Sequence, residues 1–359
     1  MGRPPLRVGL IGLGGVGRLH LEACRVSDAV DLVAVCDSDP ARLDAVAGSG
    51  IALHRDHREM LARQPLDLVC VLTPAATHAG IVADIAAAGV DVMTEKPMAA
   101  SLAEARAMAD ACAAAGVRLF YGSSYRHIPA IGLARRLIRE GAIGDPLLLR
   151  ETHVGGAGPS SREPLPSSHY PPGGIGGTGM GLVDHGVHLI DIFSWLVGEP
   201  VAWATGRGNR SGDRLATEYA VLGFPGGATG HLLYEDGSWP TDLPAEGMFG
   251  WGGSWDHRGY RPGGGWDAHP GCIHVHGTRG ALRIFHYGHA LFLIDAEGTR
   301  QIPLPDAPAP AHFRLQIEAF ADDIAHGRAP STDGEAGLAA LRVVEAIYES
   351  GDLGRVVRL

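Results

Sequence analysis

The first third of the chain alternates short apolar runs with amphipathic stretches. Residues 6–11, 32–36, 68–72, 90–94 and 117–121 are nearly continuous in apolar side chains. Strands buried on both faces of a parallel sheet require that pattern. Between them the period becomes helical, and several helix ends can be read directly. Asp39 followed by Pro40 reads as an N-cap with proline at the first helical position. Ser101 with Glu104 spells a capping box, and Gly116 stops the helix that follows. Repeated strand–helix units of this kind predict a parallel, doubly wound sheet.

From about Tyr125 the rhythm changes. A helix over 131–140 is followed by a strand over 147–154, a loop rich in Gly, Pro and Ser over 155–177, and a strong helix over 182–197. Then 201–206, 218–224, 229–234, 273–277, 281–286 and 291–295 read as strands with no regular helix between them. Such a succession predicts a mainly antiparallel sheet. Helices over 313–326 and 336–350 close the chain. A length of 359 residues exceeds one ordinary core and predicts two domains, 1–123 and 124–359.

Composition narrows the class. The net charge of −10 argues against nucleic acid as a partner, since phosphate binding needs clustered positive charge. No apolar run approaches the roughly 20 residues that cross a bilayer, so no membrane partner is expected. The 5 cysteines, Cys24, Cys36, Cys70, Cys112 and Cys272, are odd in number and far apart. They read as buried free thiols of a reducing compartment, and the expected location is cytoplasmic.

The chemistry begins after the first strand, with "GLGGVG". Gly12, Gly14 and Gly17 have the Gly-x-Gly-x-x-Gly spacing, with a strand before and a helix after. Gly12 would allow the tight turn, Gly14 the close approach of a pyrophosphate, and Gly17 close packing of helix on strand. Leu13, Gly15 and Val16 complete the loop, and the helix N-terminus offers free N–H groups to phosphate. Asp37, with Ser38 after it, ends the second strand. A carboxylate there accepts from ribose hydroxyls and repels a 2′-phosphate, and no arginine immediately follows. NAD is therefore expected in preference to NADP.

Among 30 Lys and Arg residues, Lys96 is the single lysine. It lies just past the carboxyl end of the strand predicted over 90–94, the edge where such sheets bind ligands. Lysine can lose its proton at a suitable site whereas arginine effectively cannot. A lone lysine among arginines therefore points to a proton-handling or point-like donor. Downstream, "GLVDHGVHLIDIFSWLVG" carries Asp184, His188, Asp191 and Trp195 at helical spacing on one face. A histidine near a carboxylate suits general acid/base work. Asp184 and His188 could equally be two metal ligands, with His185 or His169 as a third. No compact ligand cluster in the sequence completes such a set, so no metal is expected.

"GLIGLGGVGRLH", "LVAVCDSDP", "VLTPAATHAGIV", "VMTEKPMAAS", "SYRHIPAI" and "DHGVHLIDIFSWLVG" occur in that order, and the chain closes with "FRLQIEAFADDIAHGRAPSTDGEAGLAALRVVEAIYESG". Together they resemble the glucose–fructose oxidoreductase / inositol dehydrogenase (Gfo/Idh/MocA) family. The resemblance is close over the first domain and the last ~50 residues, and scattered between. It implies an N-terminal Rossmann domain and a C-terminal α/β domain with an open, mostly antiparallel sheet. It also implies that Lys96, Asp184 and His188 surround the reacting carbon of a sugar-like substrate. Thr73, Pro74, His78, Glu95, Lys96, Pro97 and Arg126 fall at positions resembling the family's cofactor contacts. Tyr125, His169 and His185 are candidate substrate contacts, and a homo-oligomer, dimer or tetramer through the C-terminal sheet, is expected.

Residues 236–271 depart from the family pattern and hold four tryptophans, Trp239, Trp251, Trp255 and Trp266, among glycines. Aromatic rings stack on sugar faces. Trp251 and Trp255 are therefore candidate substrate contacts in a lid, with an oligomer interface as the alternative. The leading function is an NAD-dependent dehydrogenase of a sugar, cyclitol or glycoside hydroxyl. Two alternatives share the scaffold. One is an oxidation–elimination enzyme that cleaves glycosides with retained NAD, and the other is a non-catalytic nucleotide sensor, which the presence of both Lys96 and His188 disfavours.

Overall fold

The protein is described by a computed structural model covering residues 4–154, 181–211, 214–235, 272–286, 288–306 and 311–359. Two compact units emerge: residues 4–124 with 311–341, and the remaining described residues.

In the first unit, β1 (Leu6–Ile11), β2 (Val30–Cys36), β3 (Ala52–His54), β4 (Leu68–Val71), β5 (Asp91–Glu95) and β6 (Leu119–Gly122) form one sheet in the order β3-β2-β1-β4-β5-β6. All of its pairings are parallel. Helices α1 (Gly15–Arg25), α2 (Pro40–Asp44), α3 (His57–Arg63), α4 (His78–Ala87) and α5 (Leu102–Ala115) link the strands. This is the doubly wound dinucleotide order, with its switch point between β1 and β4. The helix ends follow the local chemistry. Asp39 Oδ1 accepts from the Ala41 N–H at 3.0 Å, Ser101 Oγ accepts from the Glu104 N–H at 3.3 Å, and Gly116 closes α5 at φ 68°. The sequence pattern misses β3, because three residues cannot display an alternation.

The second unit continues with α6 (Pro129–Arg139), β7 (Pro146–Val154), a π-helical turn (Gly181–Gly186), α7 (Val187–Val197), β8 (Trp203–Ser211), β9 (Arg214–Gly223) and β10 (Thr229–Glu235). Four strands follow: β11 (Cys272–Gly277), β12 (Ala281–Phe285), β13 (Ala290–Asp295) and β14 (Gly298–Gln301). The last elements of the chain are α8 (Ala311–Ala325), α9 (Gly334–Leu353) and β15 (Val357–Arg358). Among the described residues the strands form a second sheet, β14-β13-β12-β11-β7-β10-β9-β8-β15. Only β7 with β10 is parallel, and the other pairs are antiparallel. Helices α6 and α7 pack on this sheet. Gly230 of β10 makes room for α7, since a Cβ there would stand 2.7 Å from the Phe193 ring.

Helix α8 packs with the first unit, beside α1 and against β2. Its Phe320 meets Phe120 of β6 with ring centroids 4.6 Å apart. Ile317, Phe320 and Ala321 join Val8, Leu10, Leu68, Met93 and Phe120 in one buried cluster. The Tyr121 N–H donates to the Thr332 carbonyl at 2.9 Å. Residues from the end of the sequence thus complete the core that its beginning starts.

All five cysteines are buried, and none forms a disulfide. Burial pushes the Cys24 and Cys36 thiols up to about 12 and Cys112 to about 11, which keeps them in the unreactive thiol form. Among the described residues no helix is long and apolar enough to cross a membrane.

Candidate active site

At the β1–α1 turn the glycines divide into packing and approach positions. Gly12 has φ +98°, and a Cβ on it would stand 2.8 Å from the Leu72 carbonyl oxygen. A Cβ on Gly17 would stand 2.1 Å from the Gly12 carbonyl oxygen, so α1 can pack on the turn only without a side chain there. Gly14 and Gly15 face the other way. A Cβ on Gly14 meets only the Arg42 guanidinium, at 3.8 Å, and one on Gly15 meets nothing within 4 Å. Gly14 N-caps α1 without a side-chain hydrogen bond, so the first N–H groups of the helix remain for an anion.

Asp37 is buried at the end of β2. Its Oδ2 accepts from the Leu13 N–H at 2.7 Å and its Oδ1 from the Asp39 N–H at 2.9 Å. Burial pushes this carboxyl up, but the two N–H donors and Arg42 outweigh it and hold the group below its ordinary value. Asp37 is therefore ionised at neutral pH and braces the glycine loop. Arg42 Nη1 lies 3.3 Å from Asp37 Oδ2, and Arg42 also pairs with Asp39. Ser38 is exposed, and its carbonyl accepts from Arg55 Nη2 at 3.5 Å. An open helix N-terminus, an approachable glycine turn and an anionic acceptor together fit a dinucleotide diphosphate and its ribose.

The carboxyl ends of β4 and β5 form a second group of contacts. After β4, Thr73 accepts at its carbonyl from His78 Nε2 at 2.7 Å, while Pro74 precedes a short turn, Ala75–Thr77. The other ring nitrogen of His78 lies 3.0 Å from the Thr94 hydroxyl and 3.0 Å from the Met98 carbonyl. Burial lowers the His78 pKa, so the ring is a neutral strut between the two strand ends. Glu95 is buried; its Oε1 lies 3.0 Å from His20 Nε2 of α1, and its Oε2 accepts the Lys96 N–H at 2.8 Å. Lys96 is thus placed by its own neighbour at the end of β5, and the peptide to Pro97 is cis. The His20–Glu95 pair joins residues 75 apart, and nothing in the local sequence signals it.

In the second unit, the helix expected over 182–197 is present, but its first turn is π-helical, Gly181–Gly186. The wider i→i+5 turn changes the faces that an α-helical period assigns. His185 turns towards Glu151 of β7, Nε2 to Oε2 3.0 Å. His188 is buried and stacks on Tyr125, with ring centroids 4.0 Å apart and planes 4° from parallel. Arg126 donates from Nε to Asp191 at 2.9 Å and from Nη2 to the other carboxylate oxygen, a two-pronged pair. Its guanidinium also lies 5.5 Å from the Trp195 ring. Asp191 and Trp195, read from the sequence as sharing one helix face with Asp184 and His188, are thus partners of Arg126. The side chain of Asp184 and all of His169, Trp239, Trp251, Trp255 and Trp266 lie outside the described residues. Glu151, His286 and Tyr234 were not singled out by sequence, and they gather around His185.

A Rossmann unit with a dinucleotide-ready turn, joined in one chain to a mixed-sheet α/β unit, defines a class of oxidoreductase. Residues 6–123 match the Gfo/Idh/MocA oxidoreductase family through its NAD-binding Rossmann fold, and residues 135–359 match that family's C-terminal alpha/beta domain. The chain belongs to this family and is an NAD-dependent dehydrogenase. One relative is D-apiose dehydrogenase from Paraburkholderia graminis, 32% identical across 98% of this chain and 88% of that protein. Inositol 2-dehydrogenase 2 from Paenarthrobacter aurescens is 27% identical across 96% of each. Among solved structures, aldose-aldose oxidoreductase from Caulobacter crescentus, complexed with glycerol, shares the fold. Its TM-score is 0.80 over 99% of this chain and 100% of that one, at 23% identity.

Proposed function

We propose that the protein moves hydride between nicotinamide and a secondary hydroxyl or ketone of a sugar, cyclitol or glycoside, with Lys96, His188 and Asp184 around the reacting carbon. The observation that carries this reading is the placing of Lys96, the single lysine of the chain. Glu95, itself braced by His20, fixes its backbone at the carboxyl edge of the parallel sheet. The relatives named for D-apiose and inositol support a polyhydroxylated substrate.

In the oxidative direction His188 takes the hydroxyl proton, and the Tyr125 stack holds its ring in one plane. Lys96 donates to the same oxygen and stabilises the negative charge that develops on it, a contribution worth about 3 kcal/mol at comparable sites. Asp184 orients the base and a substrate hydroxyl. When bound, NAD supplies the hydride acceptor. Glu95, His78 and Thr94 keep the edge of the sheet in register for these contacts.

The test is Lys96→Arg, which preserves charge but not the compact, titratable ammonium. With cyclitols, aldoses and glycosides as substrates, kcat should fall by about two orders of magnitude or more while NAD binding, read by fluorescence titration, stays intact. Full activity in Lys96→Arg would remove the lysine from the chemistry.

A further inference from the structure

Three side chains distant in sequence converge in the second unit: Glu151 of β7, His185 of the π-helical turn and His286 just beyond β12. One ligand-capable atom from each lies within 4.8 Å of the other two. His185 Nε2 stands 3.0 Å from Glu151 Oε2, and His286 Nε2 stands 3.5 Å from Glu151 Oε1. Ligand atoms at about 2.0–2.1 Å from a tetrahedral ion are about 3.3 Å from one another; here the two imidazoles approach opposite oxygens of one carboxylate, and the three ligand atoms lie within 4.8 Å of one another, a group that a single ion can draw together.

All three residues are buried, and Glu151 is only 1% exposed. A carboxylate taken out of water needs compensating positive charge. Neutral imidazoles present lone pairs to a cation that such a carboxylate holds. Two histidines and one glutamate form a donor set that binds zinc with one coordination position left for water or substrate, and imidazole nitrogen favours the later first-row ions over magnesium or calcium.

The surroundings are built on rigid elements. Strand β7 lies between β10 and β11, with β12 beyond β11, so Glu151, Tyr234 and the approach to His286 rest on neighbouring strands. The Tyr234 hydroxyl lies 3.5 Å from Glu151 Oε2 and supplies the outer contact that orients a ligating carboxylate. The Tyr125 ring, stacked on His188, is 5.5 Å from the His286 ring and 5.9 Å from the His185 ring.

We propose that Glu151, His185 and His286 hold one divalent ion of the zinc class, which fixes the layer behind Tyr125 and His188. The site stands independently of which substrate the enzyme takes. Protein stripped with a strong chelator, dialysed against zinc and passed through a desalting column should retain about one zinc per chain by elemental analysis. Glu151→Gln and His286→Gln, each checked for folding by circular dichroism, should retain less than about a tenth of that. The double variant H274Q/H276Q removes a stacked histidine pair on β11, and it should retain as much as wild type, which controls for adventitious binding. If His286→Gln does not fold, Glu151→Gln, which preserves the side-chain shape, decides the matter. Wild type that retains no zinc, or site variants that retain as much as wild type, would overturn the proposal.

Discussion

Asp37 does two things with one carboxylate. It accepts the Leu13 N–H at 2.7 Å, which ties the end of β2 to the glycine turn, and its charge faces the place where an adenosine ribose binds in this fold. Asp37→Asn separates the two roles, because the amide oxygen can still accept from Leu13 while the charge is gone. Arg42, now 3.3 Å from Asp37 Oδ2 and also paired with Asp39, then loses one anionic partner and can turn towards a 2′-phosphate. The ratio of kcat/KM for NAD over NADP should fall at least about tenfold, a difference of about 1.4 kcal/mol; steady-state kinetics with both cofactors measure it, and an unchanged ratio would count against the electrostatic role. Asp37 and the glycines were legible because their chemistry sits in fixed local spacing. The His20–Glu95 pair and the Glu151–His185–His286 cluster were not, because only long-range folding brings those residues together. The single-lysine composition signal nevertheless led to the strand end that Glu95 braces.

Among the elements, α1 depends on Gly17 for its close packing on the turn. The Gly12 carbonyl oxygen would lie 2.1 Å from a Cβ at position 17, and both atoms belong to backbone that other contacts hold. Gly17→Ala should therefore lower the melting temperature of the cofactor-free protein and weaken NAD binding at least about tenfold. Gly15→Ala, whose Cβ meets nothing within 4 Å, should melt at or above wild type, since alanine favours a helix by about 1 kcal/mol over glycine. Equal melting of the two variants would show that the close approach is not a constraint. The strands of the first sheet were legible from apolar runs alone, because parallel strands buried on both faces leave little room for polar residues. The short β3 and the π-helical turn were not. The first is too brief to show a period, and the second changes the period itself, so the α-helical reading of residues 182–197 did not anticipate that His185 meets Glu151.

For the whole chain, the decisive fact is that residues 311–341 pack with residues 4–124. Phe320 against Phe120, and Ile317 and Ala321 in the same buried cluster, cover part of the sheet that the first residues build. A fragment of residues 1–124 should show no cooperative thermal transition by circular dichroism, and joining residues 311–341 to it through a flexible linker should restore one. A cooperative melt of 1–124 alone would mean that the N-terminal sheet is sufficient. The sequence alone reads as two domains, 1–123 and 124–359, because hydrophobic periodicity identifies a buried face without naming what it is buried against.

That return of the chain also has a consequence for its birth on the ribosome. The nucleotide-binding unit is started first and finished last. Its sheet emerges with the first 124 residues, and the helix that covers it begins only at Ala311, after 125–310 have been made, roughly 10–40 s at ordinary rates of synthesis. During that interval an apolar surface stands uncovered in a crowded cell. The order of synthesis therefore delays the closing of this core in a way that a Rossmann domain completed by its own contiguous residues would not.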